Sequence, residues 1–133
     1  MERHTKGSVL QRALIADAVI SGGTGLLMGI GATLLAPVLA LPEPLLRYAG
    51  IMLLPFAAFV AFVALRAAIV PGLAWLVIGL NSVWVLASIG LLISGFVTPN
   101  LFGYSFVVVQ ALVVAVFAEW QWFALRRSPM QTA

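Results

Sequence analysis

Ala13-Leu14-Ile15-Ala16-Asp17-Ala18-Val19-Ile20-Ser21-Gly22-Gly23-Thr24-Gly25-Leu26-Leu27-Met28-Gly29-Ile30-Gly31 is a long apolar run, crowded with small residues and carrying one carboxylate. A helix needs about 20 predominantly apolar residues to cross a bilayer. The run continues to Ala36 and exceeds that length, so it predicts a transmembrane helix over 13–36. A basic lead and the Val38-Leu39-Ala40 ending offer a rival reading as a signal peptide. Signal h-regions are only about 7–15 residues long, and this stretch is far longer. The membrane-span reading is the one adopted.

The composition agrees. Of 133 residues, 63% are hydrophobic and 8% charged, against about 25% charged in a soluble domain. The net charge of +3 comes from basic residues at the ends of apolar runs. That pattern orients membrane proteins, and it lacks the basic face of a nucleic-acid binder. The chain has no cysteine, which excludes disulfides and thiolate metal sites, and its single histidine, His4, lies in the polar lead.

Beyond the first run, Pro37 and Pro42-Glu43-Pro44 predict a break and a new helix start. Glu43 precedes Arg47 by four residues, a spacing at which the two side chains can meet. The second span is expected over 44–65, with Pro55 inside it as a kink unless neighbours compensate. Met52, Phe56, Phe59 and Phe62 recur at helical spacing, which reads as a packing or lipid-facing stripe. From Ala67 to Ala118 no residue is charged, enough for two more crossings, over 72–95 and 100–125, separated at Thr98-Pro99-Asn100. The expected fold is all-α: a single polytopic domain forming an antiparallel four-helix transmembrane bundle.

Four spans place both termini on one side. That side holds Arg3, Lys6, Arg12, Arg66, Arg126 and Arg127, and the other holds only Arg47. The basic side stays in the cytoplasm, so the expected setting is a bacterial inner membrane with both termini inside.

Three groups of residues stand out. Asp17 lies five residues past Arg12, roughly 7 Å deep at helical rise. Glu119 lies seven residues before Arg126, and Arg66 ends the second span on the same side. Asp17, Arg66 and Glu119 are therefore expected in one layer, as a structural ion-pair cluster or as coupling acids in a transport path. Asn81 and Gln110 are expected near the midplane, with Trp84 on the face of Asn81, as a polar clamp that bonds across helices or as a pocket for a small polar or amphiphilic ligand. Ser21, Gly25 and Gly29 belong to a small residue at every fourth position of the first span, a packing seam within the bundle or a self-association face.

Enzyme templates fail. The bundle contains no histidine base, no cysteine and no metal-ligand cluster, and Ser21-Gly22-Gly23-Thr24-Gly25 sits within a span instead of after a strand. No enzymatic activity, cofactor or nucleic-acid partner is expected. The expected partners are the lipid bilayer and a membrane protein or a second copy.

The span layout and the Arg47-Tyr48-Ala49-Gly50 start of the second span resemble small bacterial four-helix integral membrane proteins of the DoxX-like and domain-of-unknown-function kind. An acid in the first of four helices is also similar to small multidrug transporters. The longer spans, Trp84 and the glycine stretches depart from that pattern. The resulting expectation is a non-enzymatic accessory or scaffold protein acting through intramembrane helix packing. The alternative is a small oligomeric transporter of a cation or a hydrophobic small molecule, with Asp17 and Glu119 as coupling acids.

Overall fold

A computed structural model describes residues 8–127. The expectations for Arg3, His4 and Lys6 lie outside the described residues. The chain forms four helices: α1 Val9–Leu39, α2 Glu43–Ala64, α3 Pro71–Ser94 and α4 Leu101–Arg127. Each is long and apolar enough to cross a membrane.

The helix ends follow from local chemistry. Ser8 caps α1, its hydroxyl accepting from the Gln11 N–H at 3.0 Å, so the helix begins four residues ahead of Ala13. Pro37 does not end α1. The helix continues to Leu39, then turns off through Ala40 in the left-handed region (φ 56°), where the Leu41 N–H donates back to the Ala36 carbonyl. Prolines start α2 and α3, where the amide they lack has no helical partner anyway. Pro55 leaves α2 as one continuous helix. Gly95 ends α3 at φ 83°, a conformation glycine adopts without penalty. Asn100 precedes α4 and accepts from the Gly103 N–H at 2.8 Å.

The helices surround α1 unequally. It packs along α2 on one side and α4 on the other, and α3 packs on α4, while α2 and α3 scarcely touch. The α1–α2 contact is set by glycine. A methyl group at Gly50 would overlap the Gly29 backbone, and one at Gly25 would lie 2.9 Å from the Gly50 carbonyl oxygen. Ser21, Gly25 and Gly29 thus run along the face α1 turns to its neighbours, and small residues let the two backbones close up. Gly103 does the same for α4, against the Leu39 carbonyl. There Asn100 also donates its side-chain amide to Val38 and its backbone N–H to Leu39.

Two apolar clusters fill the bundle. One gathers Leu10, Leu14, Val60, Val63, Val77 and Leu125 near the Arg66 end, and the other gathers Met28, Ala32, Leu39, Leu46, Leu53 and Val107 near the Arg47 end. Polar side chains lie between them.

Candidate functional site

Asp17 is fully buried. One carboxylate oxygen accepts from the Ser21 hydroxyl at 2.9 Å, one helical turn along α1. The other accepts from the Asn81 side-chain amide and the Gln121 side-chain amide, both at 2.7 Å. Asn81 also donates to the Gln121 carbonyl oxygen at 3.2 Å. Three helices are joined by four side chains, each at most 6% exposed. An unpaired polar group in hydrocarbon costs several kcal/mol, on the order of a lost hydrogen bond or more. Here the acid meets three donors, and among the described residues no buried side-chain nitrogen or oxygen lacks a partner.

The structure does not bring Arg66 or Glu119 to this acid. Glu119 is exposed two residues before Gln121, and at about 100° per residue it points almost opposite to Gln121. The inward face of α4 runs through Val107, Ala111, Phe117, Gln121 and Leu125, which leaves Glu119 outside. Arg66 lies beyond the last turn of α2 and places its guanidinium over the Phe62 ring at 5.3 Å. Asp17 stands eight residues into α1, roughly 12 Å along the axis from the helix start.

A second polar group lies further along the bundle. The Trp84 indole N–H donates to the Gln110 carbonyl oxygen at 2.7 Å, and the Gln110 amide donates to the Ser88 hydroxyl at 3.0 Å. Trp84, Ser88 and Gln110 thus bind α3 to α4. The expected Asn81–Gln110 bond is replaced by two separate layers, because Asn81 faces Asp17. The sequence reading passed over Gln121. The signal was present: Gln121 follows Gln110 by 11 residues, about three turns, which puts both amides on one face of α4.

At the Arg47 end, Arg47 bonds Glu43 at 2.6 Å, the expected pair, and also the Thr33 hydroxyl and the Gly29 carbonyl, each at 2.9 Å. This ties the start of α2 to α1.

Two crevices flank the Asp17 layer. One, of about 550 Å³, lies between α1 and α4 and is lined by Thr24, Leu27, Phe102, Val109 and Phe117. The other, of about 630 Å³, opens between α2 and α3 and is lined by Phe56, Phe59, Leu80, Asn81 and Val83. Ser21 and Trp84 border both. Both volumes fall in the range of ligand pockets, roughly 300–1,000 Å³. Among the described residues no three of histidine, cysteine, aspartate and glutamate converge as metal ligands. No family model, curated protein or solved structure matches the chain.

Proposed function

We propose that this chain is a non-enzymatic membrane protein, an accessory or scaffold subunit that acts by packing its helices against a partner within the bilayer. The observation that carries this is the outer face of α3. Gly72, Gly79 and Gly90 have nothing within 4 Å of where a side chain would begin. Their spacings of 7 and 11 residues put them within about 20° of one line along the helix, on the side opposite Asn81. Exposed Val83 and Leu86 flank that line. A notch of this kind lets another helix approach closely. Gly22, Gly25 and Gly29 of α1 are occupied by α2, so the aligned glycine surface available for association lies on α3 instead.

The setting that goes with this reading is a bacterial inner membrane with both termini cytoplasmic. It rests on Arg12, Arg66, Arg126 and Arg127 at one end of the bundle, opposed by an Arg47 already paired with Glu43. Membership among the DoxX-like four-helix proteins belongs to the same proposal and rests on span layout. The test is native mass spectrometry of protein released from its own membrane in mild detergent, with and without Gly79→Leu. Under this reading a bound protein or second copy is present and Gly79→Leu releases it. A chain that carries lipid alone in both forms sinks the idea.

One observation favours a second reading, a small oligomeric transporter of a cation or a hydrophobic small molecule. Ser21 touches both Asp17 and the two crevices, so the acid stands one side chain away from paths open to the bilayer. Glu119, exposed on α4, has no place in such a path. Unchanged proton-coupled uptake in Asp17→Asn would remove this reading.

A further inference from the structure

The crevice between α2 and α3 is walled by Met52, Phe56, Phe59, Leu76, Leu80 and Val83, and it meets polar groups only where Ser21, Asn81 and Trp84 border it. The donors of those three are already committed. The Ser21 hydroxyl proton goes to Asp17, the Asn81 amide to Asp17 and Gln121, and the Trp84 N–H to Gln110. Two acceptors, Asp17 and Gln121, face the amide edge of Asn81, and this fixes which edge of the side chain points away from them. The Asn81 carbonyl oxygen then takes no hydrogen bond among the described residues, and since every fully enclosed polar atom there has a partner, this oxygen is the atom of the otherwise buried side chain that the crevice reaches.

An amide whose N–H groups are held by a carboxylate is polarised, which strengthens its carbonyl as an acceptor. The crevice therefore offers one free acceptor, the Asn81 carbonyl, and no free donor. A hydrocarbon tail would fill the volume and leave the carbonyl unpaired. An ammonium head would bring three donors to a place with one free acceptor and apolar walls, and would lose its hydration. A hydroxyl brings one donor. We propose that the α2–α3 crevice is a binding site for a neutral amphiphile with a hydroxyl head and an apolar body, the hydroxyl donating to Asn81. Phe56 and Phe59 supply flat apolar walls for the body, and the weak contact between α2 and α3 leaves the entry open to the lipid side. The site borders the glycine line of α3 and shares Val83 with it, but its polar edge, Asn81, lies on the opposite side of that helix, so it does not rest on the helix-packing reading.

The experiment uses the full chain in phosphatidylcholine nanodiscs with a diazirine-bearing dodecanol as photoactivatable probe. Adducts are mapped by peptide mass spectrometry, with dodecanol, dodecyl methyl ether and dodecylamine as competitors. Adducts are expected on crevice residues such as Phe56 and Phe59, and Leu80→Trp, which fills the crevice from α3, is expected to remove them. Dodecanol should compete at least roughly threefold better than the ether, which has an acceptor but no donor, given typical hydrogen-bond strengths between membrane helices. Equal competition by alcohol and ether overturns the proposal, as does better competition by the amine. Adducts that persist in Leu80→Trp, or that fall only on outward residues such as Ile30 and Ile93, overturn it too. The comparison of competitors on the native chain does not depend on any variant folding.

Discussion

Asn81 of α3 donates to Asp17 of α1 at 2.7 Å, across the diagonal of the bundle, between two helices that otherwise barely meet. One side-chain bond thus spans a distance the backbones do not close. It also fixes the rotation of α3 and holds Asn81 beside Gln121.

Removing Asn81 is therefore expected to cost more than removing an ordinary polar residue of the same helix. Asn81→Ala leaves Asp17 and the Gln121 carbonyl each short of a donor, a loss of about 1–3 kcal/mol. Ser82→Ala, whose hydroxyl bonds only the Ile78 carbonyl one turn back, should be close to neutral. Unfolding of the two variants in mixed micelles compares them directly. Equal losses would mean that the buried layer contributes nothing special.

Gly50 and Gly23 give opposite expectations for the same substitution. Gly50→Ala drives a methyl into the Gly29 backbone, and overpacking of this kind costs typically about 1–3 kcal/mol. Gly23→Ala meets nothing within 4 Å and should gain roughly 0.5–1 kcal/mol from helix propensity alone. Thermal unfolding in one detergent is enough to see the difference in sign.

Ala40 holds a positive φ at the end of α1. The left-handed conformation costs a residue with a Cβ roughly 1–2 kcal/mol, partly offset in glycine by a freer unfolded chain. Ala40→Gly should therefore raise stability by up to about 1 kcal/mol, measured by the same unfolding assay. A loss would show that the Ala40 methyl makes contacts worth more than the strain.

Arg47 should matter more than its ionic partner. Glu43→Gln weakens one half-exposed ion pair, typically a contribution below about 1 kcal/mol at the surface. Arg47→Ala also removes donors from the Gly29 carbonyl and the Thr33 hydroxyl. The expected order of stability is native, then Glu43→Gln, then Arg47→Ala, and raised salt should narrow only the first gap.

The layout of this protein was legible because it depends on length and punctuation. Four apolar runs separated at Pro42-Glu43-Pro44, Arg66 to Pro71 and Thr98-Pro99-Asn100 define four helices whatever their rotation. The pairing of polar residues depends on rotation, and here the sequence is nearly silent. Helices surrounded by lipid are apolar on every side, so no polar face marks the outside. Asp17 and Glu119 looked like neighbours by depth, yet one turns inward and the other outward. The small residues carried more information. The spacing of Ser21, Gly25 and Gly29 located the face of α1 that packs most closely, while the spacing of Gln110 and Gln121, which held the inward face of α4, went unread.

The buried layer also constrains how the chain can be made. Ser21 is synthesised within one turn of Asp17, but Asn81 comes 64 residues later and Gln121 104 residues later. During synthesis the acid of α1 has one of its three donors until α3 arrives, and gains the third only with the last helix. A nascent chain stopped before Gln121 is accordingly expected to hold α1 beside the insertion machinery longer than one carrying Asp17→Leu, which crosslinking of arrested chains would report. On that expectation, the arrival of the final helix is what completes the donor set of the first.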